Sequence, residues 1–314
     1  MAPPSYAVCD FVVLSLITLL IIFSIFSVAF ILHFHHKTRK CYRLREFNSL
    51  WPVRLLLVVS ALLFSTSELL RLPRFRGGNF IRFPILPVVS VIRHVGLCKI
   101  YIVASQGMFQ PAFFITLLFL LNDSLRKPDN EEHTLLRALT LLLFSCLPLF
   151  LLQTFFVFFS ERVLLLLGDG MLIGYLRLHS QATVNEGSKE HHVLCAYPIF
   201  STVLLVSFGA LYVVCFMIVC WRTVELVINR SLRVRVYGLA LAVLTAIPTQ
   251  AVCLLLSVFW NPHESALDVL PTVAFLSILL CALVGEGILV IRPIVDSLAA
   301  DRLKLEKKQK DEDI

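Results

Sequence analysis

Seven stretches of 19 to 25 residues, with only three charged side chains among them, run along this 314-residue chain. They are residues 11–32, 52–70, 100–121, 138–160, 197–221, 236–260 and 271–291, and the three charges are Arg54, Glu68 and Glu286. A helix rising ~1.5 Å per residue needs roughly 20 residues to cross the ~30 Å hydrocarbon core of a bilayer. Composition agrees: 58% of residues are hydrophobic and 16% charged, with a mean hydropathy of +0.84. So apolar a chain has too little polar surface to cover itself in water. A soluble domain and a disordered chain are both excluded. The net charge of +7 and pI near 9.0 therefore call for a membrane explanation, and no nucleic-acid partner is expected. The expected fold is an all-α integral membrane protein, a seven-helix bundle over residues 11–291.

Basic residues orient such a bundle. With the N-terminus (residues 1–10) outside, eighteen Lys and Arg face the cytosol and nine face out. The expectation is N-out, with residues 292–314 as a cytosolic tail. The plasma membrane is favoured over an endomembrane. The start has no basic n-region or A-x-A cleavage site, so the first span reads as an uncleaved anchor. Two Asn-x-Ser sequons, Asn122 and Asn229, fall on the cytosolic side and should stay unglycosylated. Residues 163–178 are apolar too, but Gly168-Asp169-Gly170 splits them. They read as an outer hairpin loop, with a membrane dip or an extension of the fourth helix as alternatives. In the tail, Ile294, Val295, Leu298 and Leu303 give a short amphipathic helix after Pro293, followed by a solvated end.

Cys98, at the outer end of the third span, and Cys195, in the long fourth-to-fifth loop, both face the oxidising side. They are the expected disulfide, with Cys9 leaving another pairing open. Cys41 and Cys220 lie near the cytosolic face, as acylation sites or ordinary thiols. Polar side chains inside spans are costly and usually face the bundle interior. Glu68, Gln106, Gln110, Gln153 and Gln250 come from four helices and cluster towards the outside. With Arg71, Arg93 and Lys99 at the rim, they outline a site for a small polar or anionic ligand. Interhelical hydrogen bonding is the structural alternative for each glutamine, and an ion pair to Arg71 or Lys99 for Glu68. At the inner ends, Arg54 and Glu286 form an expected ion-pair lock. The basic stretch from His33 to Lys40 reads as a seat for anionic lipid headgroups rather than a metal site.

No H-E-x-x-H, G-x-S-x-G or Walker loop occurs, so no enzyme and no cofactor is expected. Seven helices, a cysteine on the third with a partner in the next outer loop, and basic inner loops follow a receptor-type plan. The animal receptor signatures are absent: the third helix ends Leu121-Asn122-Asp123-Ser124, and the seventh ends Val290-Ile291-Arg292-Pro293. The stretches from Ser105-Gln106-Gly107 to Arg126-Lys127-Pro128, and Ser67-Glu68-Leu69-Leu70-Arg71, are similar to plant seven-transmembrane candidate G-protein-coupled-receptor-like proteins. That resemblance implies ligand binding from outside and signalling to a cytosolic partner, such as a Gα subunit. Arg222, Arg230, Arg233 and Arg235 in the third inner loop are the expected contact. A small-solute transporter is the alternative, and a membrane scaffold for cytosolic partners the third.

Overall fold

A computed structural model describes residues 4–38, 50–69, 71, 90–123, 131–166, 183–186, 192–195, 197–227, 230–259 and 266–299. Seven of its helices are long and apolar enough to cross a membrane. They are α1 (Pro4–Thr38), α2 (Trp51–Leu69), α3 (residues 90–123), α4 (Glu131–Leu166), α5 (Ile199–Leu226), α6 (Arg230–Phe259) and α7 (residues 266–299). One feature departs from an all-α chain. Between α4 and α5, strands β1 (Thr183–Glu186) and β2 (His192–Cys195) pair antiparallel, Thr183 opposite Cys195.

The helices outrun the apolar stretches that announce them. α1 takes in residues 4–10, and α4 begins at Glu131 and continues to Leu166. α7 runs on through residue 299, so the first part of the tail continues the seventh helix instead of starting a separate one. Charged residues such as Glu131 and Glu132 are adequate helix formers, so a helix stops at a breaker and not where apolarity ends. Residues Gly168-Asp169-Gly170, Cys41, residues 72–89 and residues 300–314 lie outside the described residues.

Two helices contain a wider π turn, at Ser105–Phe109 in α3 and at Gly287–Ile291 in α7. Each ends two residues before a proline, Pro111 and Pro293. A proline inside a helix lacks its N–H, and its ring collides with the carbonyl four residues back. Letting Gln110 N–H reach Ser105 O, and Arg292 N–H reach Gly287 O, opens the helix at that carbonyl and keeps it continuous.

α3 is the centre of the bundle. It packs against α2, α4, α5 and α7, while α7 also meets α1, α2 and α6. In its most apolar window 72% of residues are buried, against 22% in α4, which lies at the periphery. The main core joins Phe113, Phe114 and Leu117 of α3 to Leu57 of α2, Phe216 of α5 and Phe275 of α7. The outward faces carry Ile22, Phe26, Phe144 and Trp221, whereas Glu68, Gln153 and Glu286 are buried. That is the reverse of a water-soluble protein.

Close packing between α5 and α6 depends on Gly209. A Cβ there would lie 2.9 Å from Ile247 Cγ2, a branch atom next to the backbone that cannot swing away. Gly209→Ala is expected to destabilise the bundle by about 1–3 kcal/mol. Thermal unfolding in detergent measures this. The cost should shrink in an Ile247→Ala background, because that change removes the obstructing methyl.

Candidate functional site

The third helix organises a buried polar layer. Near its start, Cys98 is bonded to Cys195 at the end of β2, with Cα atoms 5.7 Å apart. Tyr101 follows Cys98 by three residues, and so lies on the same helix face. Tyr197 follows Cys195 by two. The covalent link therefore carries both phenols to one place, with their oxygens 2.9 Å apart.

Glu68, in the last turn of α2, meets them there. Tyr101 donates to Glu68 Oε1 at 2.8 Å, and Ser105 donates weakly to the same oxygen at 3.5 Å. Because the Tyr101 hydrogen goes to the carboxylate, Tyr197 is the donor in the phenol pair. The other carboxylate oxygen, Oε2, has no hydrogen bond and lies 3.6 Å from Arg71 Nε. Arg71 also donates to Thr272 of α7, at 3.4 Å. Burial opposes its charge, but the Glu68 carboxylate beside it favours the charged form, so it remains a cation. This knot thus joins α2, α3, α7 and the segment entering α5.

Two further knots lie on other faces of α3. Ser201 of α5 is 2.6 Å from Gln153 Oε1 and 3.3 Å from Gln106 Oε1, and Gln153 Nε2 donates to the Ser201 carbonyl at 3.1 Å. Gly107 lets α4 come this near, since a Cβ there would be 3.2 Å from Gln153 Cβ. Gln110 and Gln250 exchange two amide hydrogen bonds, of 2.6 and 2.9 Å, between α3 and α6. Beside this pair is a void of about 10 Å³, lined among others by Phe114, Leu205, Gly209 and Ile247. Such a space holds about one water.

The five polar residues picked out in the sequence are thus all buried, but they form three separate knots around α3. Sequence reading missed Tyr101, Tyr197 and Ser201. The signal available was their spacing from Cys98 and Cys195, once those two are paired. Lys99 does not join Glu68; its ammonium sits 5.8 Å from the centre of the Phe158 ring. The Arg93 side chain lies outside the described residues.

The inner side differs more from expectation. Arg54 and Glu286 form no ion pair. Glu286 instead accepts a hydrogen bond of 2.8 Å from Ser24 of α1, and Arg54 Nε is buried without a partner. The reason is depth: Arg54 lies in the first turn of α2, whose Trp51 packs on His35 of α1, whereas Glu286 meets Ser24, eleven residues or roughly 16 Å away along α1. Two of the four loop arginines serve the fold. Arg233 donates to the Val227 carbonyl at 2.6 Å, and Arg235 pairs with Asp296 of α7. Arg222 and Arg230 are exposed. Cys220, weighed as an acylation site, is buried.

A family model described as "Uncharacterised conserved protein UCP031277" matches residues 5–307. The chain belongs to that family. Comparison with curated proteins and with solved structures finds no match. The match takes in all seven helices, the disulfide and the three knots.

Tyr101→Phe removes the principal donor to a buried carboxylate and should cost about 1–3 kcal/mol. Thermal unfolding of Tyr101→Phe, Glu68→Gln and the double variant measures it. The double variant should lose less than the two single losses combined; strict additivity would show that the pair is not coupled.

Proposed function

We propose that this chain is a multi-pass membrane receptor, N-terminus outside and C-terminus cytosolic, that takes a small polar or anionic ligand at its outer end. The carrying observation is the Glu68 knot. A buried carboxylate with one unbonded oxygen and a part-buried guanidinium sit together where four chain segments meet. An incoming polar group would compete for Glu68 Oε2 and Arg71, and would bear at once on α2, α3, α7 and the entry to α5. Orientation follows from the excess of basic residues on the opposite side, and from a disulfide that persists on the oxidising side. The bilayer covers the apolar outer faces, and anionic headgroups meet the basic stretch from His33 to Lys40.

On the cytosolic side, Arg222 and Arg230 present positive charge at the ends of α5 and α6. The partner proposed there is a Gα subunit, in keeping with the resemblance to plant candidate receptors. Signalling requires the ligand to prefer one of two helix arrangements, and the π turn beside Ser105 is a natural place for α3 to change register.

The test is co-purification from native membranes in mild detergent with nucleotide removed. Gα should be recovered with the wild-type protein and lost when Arg222 and Arg230 are both changed to Glu. Absence of Gα from both samples overturns the coupling, and solute flux in proteoliposomes then becomes the deciding measurement for a transporter. Epitope tags check orientation: an N-terminal tag should be labelled on intact cells, and a C-terminal tag only after permeabilisation. The opposite pattern would reverse the topology.

A further inference from the structure

A second buried carboxylate, far from the Glu68 knot, is not used by the receptor reading. Glu286 is fully buried where α7 packs on α1, thirteen residues from the end of its helix. Neither the Glu68–Arg71 nor the Arg235–Asp296 ion pair includes it. One of its oxygens, Oε1, accepts the Ser24 hydroxyl at 2.8 Å. The other, Oε2, has no hydrogen-bond partner.

The hydroxyls around it sharpen the point. Ser24 and Ser27 lie three residues apart on α1, both fully buried, and both face the carboxylate. The Ser24 hydrogen goes to Oε1, and the Ser27 hydrogen goes to the Phe23 carbonyl at 3.0 Å. Their lone pairs are left without donors, as is Oε2. Oε2 is thus left without a hydrogen bond in a fully buried setting that holds two hydroxyl oxygens of α1. A lone carboxylate in an apolar interior is costly unless a positive charge compensates it. Directly after Glu286 the helix opens into the Gly287–Ile291 π turn, a distortion that frequently marks functional sites.

We propose that Glu286, Ser24 and Ser27 form a binding site for a small monovalent cation between α1 and α7. Hard oxygen ligands suit an alkali ion, and a single negative charge matches a single positive one. A divalent ion would require more carboxylates, and the described residues hold no group of three or more His, Cys, Asp or Glu. With all three side chains fully buried, a ligand there can be no larger than an ion. Occupancy would tie α1 to α7 just ahead of the π turn, so the cation would favour one arrangement of α7.

Sodium is the probe. Thermal unfolding of the purified protein in detergent is followed while choline chloride is replaced by NaCl at constant pH and ionic strength. A ligand that binds only the folded state raises the unfolding temperature with its concentration and saturates. Wild type should show this rise, and Glu286→Gln should not. Ser24→Ala should shift the half-saturating concentration up by about tenfold, the equivalent of about 1.4 kcal/mol. Glu68→Gln, whose carboxylate has Arg71 beside it, should respond like wild type. No sodium response in wild type, or an undiminished one in Glu286→Gln, overturns the site. Stabilisation by lowering the pH with none by sodium also overturns it, in favour of a proton. Should Glu286→Gln fail to fold, an unchanged half-saturating concentration in Ser24→Ala overturns it. Because neither ligand nor Gα enters this assay, its failure would leave the receptor reading standing, and the reverse holds too.

Discussion

A single covalent bond decides how one end of this bundle is built. Cys98 and Cys195 are 97 residues apart, and joining them fixes the end of the β1–β2 hairpin against the start of α3. Closing so long a loop removes much of the freedom of the unfolded chain. Its local effect matters more for the site. Tyr101 and Tyr197 follow the two cysteines closely, so the bond delivers both phenols to Glu68, and the Tyr197–Tyr101–Glu68 chain of hydrogen bonds depends on it. Arg71 and Thr272 then extend the network to α7.

The rest of the polar layer depends on α3 and its π turn. In a regular helix, neighbouring residues point about 100° apart, and an inserted residue rotates everything beyond it. Here Ser105 turns to Glu68 of α2, Gln106 to Ser201 of α5, and Gln110 to Gln250 of α6. One helix thus serves three knots in less than two turns, with Pro111 accounting for the distortion that spreads them. The π turn keeps the helix continuous through this stretch, with Gln110 N–H bonded to Ser105 O.

The two buried carboxylates differ in what balances them. Glu68 has Arg71 beside it and a phenol directed at it. Glu286 has one hydroxyl donor and no cation among the described residues. Removing one partner of a buried charge is costly because the other is left uncompensated. The first carboxylate is therefore held within a network, while the second calls for something from outside the chain. Both carboxylates involve α7, which sets that helix between the polar layer at the disulfide end and the site at Glu286.

Sequence alone carried the number of long apolar helices, because a run of some twenty apolar residues has few other solutions. It also pointed to Cys98 with Cys195, and to polar residues that would have to face inward. It could not set depth or azimuth. The Arg54–Glu286 pairing failed because Glu286 packs against Ser24 in the middle of α1, while Arg54 sits one turn from Trp51, which packs near the end of α1 on His35. Glu68, Gln106, Gln110, Gln153 and Gln250 read as one cluster because spacing gives height along a helix axis. Only packing shows which neighbour each one faces. The hairpin partner of Cys195, the phenol pair above Glu68 and the second carboxylate site all join residues remote in sequence, and contacts of that kind exist only once the helices have been brought together.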